Sequence, residues 1–273
     1  MKMCRALLSC LLTGFLLAPL SFAFDLEKVA PAEVGMSSER LARLTTTMTA
    51  YVDEGRLPGA VVLVARKGRI VYFEAFGNQD RDSGSKMTTG SIFRIASQTK
   101  ALISVGIMML QEEGSLLISD ELSKYLPAFV ATKVAVTLEG GEYELVPAKR
   151  PITLRDLLTH TAGIGYGNGP AAELWREAGI QGWYFANRDE PIQVTVNRMA
   201  SLPFDSQPGE RFVYGYSTDI LGAVVEVVSG LPLDVFLRER ILEPLAMADS
   251  HFYLPESKRG RLTTVYSVGA EGL

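Results

Sequence analysis

Ser97 and Lys100 stand three residues apart at the head of a strongly apolar stretch, and that combination can make a nucleophile. A serine hydroxyl attacks a carbonyl only when a neighbouring group takes its proton. Residues at i and i+3 share a helix face, so the pair can bring Oγ and Nζ within hydrogen-bond reach. Between residues 101 and 110 the only polar side chain is Ser104, which predicts a helix buried on most sides. A lysine at the mouth of such a helix has its charged form disfavoured by burial. Lys100 is therefore expected either to be tightly paired or to serve chemistry. Backbone N–H groups left free at the helix start would favour negative charge developing on an acyl group at Ser97. The chemistry these features allow is acyl transfer to a serine.

A plain helix cap would account for Ser97 but not for Lys100, because a cation in the first turn opposes the helix dipole. A second Ser-x-x-Lys, from Ser83 to Lys86, lies in a polar loop with nothing to bury or orient it. Gly215-Tyr216-Ser217-Thr218-Asp219 imitates the strand-to-helix elbow of α/β-hydrolases, with Asp249 and His251 following in triad order. Its last glycine is an aspartate, however, and the required doubly wound strands are not visible. His251 reads as a loop residue and His160 as a hydrogen-bonder at a helix end. These are the two histidines of the chain. With no His-Glu-x-x-His they make a poor metal site. Gly163 to Gly169 misses the dinucleotide spacing at Asn168 and follows a helix, so it reads as a flexible loop bordering a cleft.

The elements that must position Ser97 can be read from caps, turns and periodicity. Ser37 is placed to cap a helix reaching about Gly55, with Leu41, Leu44, Met48 and Tyr51 on one face. Residues 60–65 and 69–75 flank Arg66-Lys67-Gly68 and predict a β-hairpin. Ser119 to Leu122 predicts a cap and short helix, and residues 134–146 a surface hairpin folded at Gly140-Gly141. Short helices are expected over residues 153–160 and 191–201, then over 217–229, stopped by Gly230, and over 233–242. Strands come first and helices dominate later. That order argues against a parallel doubly wound sheet.

Several boxes in order carry a family resemblance. Phe93-Arg94-Ile95-Ala96-Ser97-Gln98-Thr99-Lys100, followed by an apolar helix and Glu113-Gly114, resembles the first motif of the serine β-lactamase-related hydrolases. That superfamily includes class C β-lactamases, D-alanyl-D-alanine peptidases and family VIII esterases. Ile152-Thr153-Leu154-Arg155-Asp156-Leu157-Leu158-Thr159-His160-Thr161-Ala162-Gly163 is similar to another of its segments, as is Pro208-Gly209-Glu210 through Tyr214 to Gly222. The likeness runs from about residue 35 to 255. It implies the β-lactamase and penicillin-binding-protein fold, an α+β fold with a mainly antiparallel sheet and a helical lobe, with Ser97 as nucleophile, Lys100 as its partner and Tyr214 as general base. A cation beside a phenol favours phenolate, so the roles are chemically consistent. Where the family often has Tyr-x-Asn this chain has Tyr214-Gly215-Tyr216. The missing amide implies ester hydrolysis over lactam hydrolysis and leaves Tyr216 secondary as a base. The family's third motif is expected beyond residue 273, so the chain is read as incomplete at its C-terminus, with the last strands missing.

Composition bounds the remainder. At 47% hydrophobic and 21% charged the 273 residues are ordinary globular material. Residues 1–23 carry Lys2 and Arg5, an apolar run and a closing Ser21-Phe22-Ala23, the pattern of a secretory signal peptide. Residues 24–273 are then the hydrolase domain, exported to the periplasm, with no membrane span after cleavage. Cys4 and Cys10 both fall in the leader, leaving the mature chain without a thiol. Without Lys2 and Arg5 the net charge is −6, with no basic patch for nucleic acid. No metal or organic cofactor is implied. The expected partner is a small ester, amide or lactam. Alternative readings are a D-alanyl-D-alanine peptidase, a β-lactamase, or a truncated non-catalytic binder of cell-wall ligands.

Overall fold

Local signals set the N-terminal elements. In the computed structural model, which describes residues 26–267 and 269, Ser37 Oγ accepts a hydrogen bond from Arg40 N at 3.3 Å. Helix α1 follows over Ser38–Asp53. Strands β1 (Gly59–Arg66) and β2 (Arg69–Asp80) pair antiparallel. The two residues between them, Lys67 and Gly68, have φ of 53° and 71°, the left-handed pair whose twist matches a hairpin. β2 runs five residues beyond the expected end and also pairs with β3 (Ser85–Lys86), giving the order β1-β2-β3. Leu41, Leu44 and Met48 of α1 pack on Val71, Tyr72 and Phe76 of β2 and close a small core.

A larger core belongs to the helical lobe. Helices α2 (Thr99–Glu112) and α6 (Ser217–Ser229) pack against each other. Ile103, Ile107 and Leu110 from one meet Ile220, Leu221 and Val224 from the other in a single buried cluster. Around them lie α3 (Leu154–Leu158), α4 (Ala172–Glu177), α5 (Ile192–Met199) and α7 (Leu233–Leu237). The expectation that α2 is buried on most sides is corrected. Val105 and Met108 are 48% and 42% exposed, because no described element covers the face opposite α6. The helix expected over residues 233–242 is also divided: α7 ends at Leu237 and a π-turn carries Arg238–Leu242. Leu122–Lys124 forms a 3-10 turn without a side-chain cap. There the Asp120 carboxylate is committed elsewhere, to Lys124 and Tyr125.

The α3 corner is built by polar chemistry. Thr153 and Asp156 form a reciprocal capping box, and Arg150 grips Asp156 with two bonds of 2.6 and 2.8 Å. Burial alone would raise the Asp156 pKa, but its bonds to Arg150 and Thr153 hold it at about 2. The hairpin of β4 (Lys133–Thr137) and β5 (Tyr143–Pro147) forms close to the expected bounds, and β4 bridges to Phe204 of the large core. Each strand pair is antiparallel and helices α2 to α7 sit together in one lobe, so the fold is α+β. No single helix among the described residues is long and apolar enough to cross a membrane. The leader assigned to residues 1–23 lies outside the described residues.

Candidate active site

Ser97 sits in a 3-10 turn, Ala96–Gln98, that leads directly into α2. Lys100 occupies the first turn of that helix, and its Nζ donates to Ser97 Oγ at 3.3 Å. The same Nζ donates to the hydroxyl of Tyr166 at 3.2 Å. It also stands 4.8 Å from the centre of the Tyr214 ring. The three residues singled out in the sequence are thus brought together, 117 positions of sequence notwithstanding between Ser97 and Tyr214. No side-chain hydrogen bond of good geometry joins Tyr214 to Ser97, although they are close enough for Ser97 to affect the phenol's acidity.

Tyr214 is held by what its neighbours lack. A Cβ at Gly215 would lie 2.3 Å from Ile164 O and 2.5 Å from Gly165 O, so only glycine lets this segment press against the loop bearing Tyr166. Tyr214 is then edge-on to Tyr166, with ring centres 5.8 Å apart. His160 packs on its other side at 4.8 Å, and Phe212 continues the stack. The His160 carbonyl accepts from Val213 N at 2.8 Å. The expectation for the His160 side chain as a hydrogen-bonder at a helix end is corrected. Its buried Nδ1 has no hydrogen-bond partner. Residues 211–214 form no strand among the described elements.

The electrostatics divide the work between the lysine and the phenol. Burial would lower the Lys100 pKa, but hydrogen bonding with Tyr166 and Tyr214 and the charge of Asp219 more than offset it, so it lies above the usual lysine value. Burial thus acts against the charge as expected, and pairing outweighs it. Tyr214 moves down from its ordinary value, first through Ser97 and then through Lys100, with burial opposing. Tyr166 moves up because it is buried. Tyr216 moves further up through burial, and its hydroxyl is tied to Gly182 O at 2.9 Å. Of the three tyrosines, Tyr214 is the one made more acidic. His160 is held neutral, its pKa lowered by burial and by the Lys100 charge. Asp219 is raised to about 6, by burial against the opposing pull of Lys100.

Ser97, Lys100, Tyr166, Tyr216 and Asp219 line a cavity of about 270 Å³, and Tyr214 lines a second cavity that shares Tyr166 with it. A serine hydroxyl, a cation bonded to it and an acidified phenol beside that cation can carry out acyl transfer. The sequence matches the family described as Beta-lactamase over residues 44–272. The chain belongs to the Beta-lactamase family.

Within the Beta-lactamase family, the chain is 33% identical to esterase EstB of Burkholderia gladioli over 250 residues, 91% of this chain and 58% of that one. It is 34% identical to a lovastatin esterase of Penicillium rubens, over 80% of this chain and 55% of that one. Among solved structures it resembles EstCE1, a hydrolase with promiscuous acyltransferase activity. That likeness has a TM-score of 0.70 and 30% identity, and covers 83% of this chain and 56% of that one. The chain spans about half the length of the curated relatives it matches.

Two residues of this site escaped the sequence reading. Tyr166 lay in a Gly-rich run taken for a cleft border; it is one, but its hydroxyl also anchors Lys100. Asp219 follows Tyr214 by five positions and opens α6. An acidic residue in a first helical turn is ordinary, so only its placement in the cavity wall marks it out. Among the described residues no group of three or more His, Cys, Asp or Glu could hold a metal ion.

Proposed function

We propose that this chain is an exported, esterase-like serine hydrolase that forms an acyl-enzyme at Ser97. The observation that carries the reading is Lys100 Nζ, within 3.3 Å of Ser97 Oγ and 4.8 Å of the Tyr214 ring. Lys100 stays charged and favours the Tyr214 phenolate. The phenolate accepts the Ser97 proton as Oγ attacks the substrate carbonyl carbon. The tetrahedral adduct collapses, the bond to the leaving oxygen breaks, and Tyr214 gives that oxygen its proton. Water then attacks the acyl-serine, with Tyr214 taking the water proton and returning it to Ser97.

Esters are favoured over lactams by the absence of an amide after Tyr214. Tyr216 stands where the family often has asparagine, and its hydroxyl is already bonded to Gly182 O. Its one donor proton is thus committed and cannot hold the carbonyl of a lactam side chain. The test compares 4-nitrophenyl butyrate, a chromogenic cephalosporin and a D-alanyl-D-alanine peptide on wild type and Ser97→Ala. Ester turnover lost in the variant is the expected result. Faster turnover of the cephalosporin or the peptide would replace the esterase assignment. Export rests on the leader pattern of residues 1–23. Protein recovered from the periplasm should begin at Phe24, and retention of Met1 would count against a cleaved leader.

A further inference from the structure

A larger cavity, of about 680 Å³, adjoins the one that holds Ser97, and Thr99, Ile103, Phe185 and Asp219 line both. Its walls are mostly apolar, with Ile192 and Leu233 among them. Its charges are unbalanced. Four carboxylates line it, those of Glu190, Asp219, Glu226 and Asp234, against one cation, Arg188. Glu190 is paired with Arg198 at 2.6 Å. Among the described residues, the other three have no Lys, Arg or His partner within 4.0 Å. Glu226 accepts only neutral donors, Gln193 Nε2 at 3.1 Å and Leu233 N at 3.0 Å. No side chain donates to Asp219 among the described bonds, and Arg188 is turned onto the Tyr184 ring at 4.4 Å.

We propose that this second cavity is a substrate subsite for an apolar group bearing a cationic amine. It deepens the reading of Ser97 as an acyl-transfer nucleophile and rests on it. Carboxylates in a concave, low-dielectric wall concentrate negative potential, and a desolvated carboxylate without a partner is costly until a cation meets it. The apolar lining supplies the rest of the binding, as in most small-molecule pockets. Position is fixed as well as sign. A cation placed beside Ser97 would be repelled by Lys100, so the amine lies beyond Asp219 and the ester carbonyl before it. The substrate class is an ester whose acyl or alcohol part is an aliphatic or arylalkyl amine.

The test is calorimetric binding of 4-phenylbutylamine and of its neutral counterpart 4-phenylbutan-1-ol to the full chain. The amine should bind at least about tenfold tighter, as expected for a desolvated ion pair. It should also slow labelling of Ser97 by a fluorophosphonate more than the alcohol does. In Asp219→Asn, checked for folding by circular dichroism, the two affinities should converge. If that variant does not fold, the Glu226→Gln/Asp234→Asn double variant should still show a reduced preference. Equal affinities in wild type would overturn the proposal, as would an amine preference unchanged in Asp219→Asn or, where that variant fails to fold, in the double variant. Binding is read without turnover, so an inert Ser97 would count against the proposed reaction, whereas an absent preference would count against the subsite.

Discussion

At the residue scale, the proposed reaction gives Lys100 two tasks that make the same demand on its protonation. It orients Ser97 by donating a hydrogen bond, and it favours a negative Tyr214 by standing beside the ring. Both need the ammonium form, which agrees with a pKa above the usual lysine value. In the proposed reaction the base is therefore the phenol. Its activity should rise with pH as Tyr214 loses its proton, and that limb should lie below the ordinary tyrosine value of 10.0. Lys100→Met removes the cation, so the limb should move up by about one unit or more. Phosphonylation of Ser97 at neutral pH should slow by about 10²- to 10⁴-fold. The measurement is the labelling rate between pH 6 and 10. An unmoved limb in Lys100→Met would show that Lys100 does not tune Tyr214.

At the scale of elements, the site is a meeting of α2, the loop carrying Tyr166 and the segment entering α6. Hydrophobic packing of α2 on α6 fixes the first and last of these, through buried side chains such as Ile107 and Ile220. The loop is brought in by a close backbone approach at Gly215. Gly215→Ala puts a methyl 2.3 Å from Ile164 O, so either the loop or Tyr214 must move. The expected cost is about 1–3 kcal/mol of stability, with activity falling further than that loss of folded protein explains. Thermal unfolding set beside the esterase rate of the folded fraction checks this. Normal activity and an unchanged melting temperature would mean that the segment has room the structure does not show.

For the whole molecule, much was legible in the sequence where one local rule decided the outcome. The Ser37 cap, the Lys67-Gly68 turn and the Gly230 stop each appear as read, because each depends on a few neighbouring residues. The site was legible at Ser97 and Lys100 for the same reason, since three positions on one helix face fix their distance. Tyr214 came only through family resemblance, because no local spacing tells where a segment 117 residues away will lie. Tyr166 and Asp219 were not legible at all. A tyrosine in a glycine-rich loop and an acid at a helix start have ordinary local explanations, and only tertiary packing gives them another. The exposed face of α2 was misread for a related reason: its sequence is apolar on all sides, and what covers a helix is a property of the fold.

The account turns on whether Ser97 is an activated nucleophile in this fold. The most direct measurement is the intact mass of the chain after exposure to a fluorophosphonate, beside Ser97→Ala and Tyr214→Phe. The account predicts one adduct on wild type, none on Ser97→Ala, and a much slower one on Tyr214→Phe. A folded wild type that takes no adduct, or one that Ser97→Ala still takes, would contradict it.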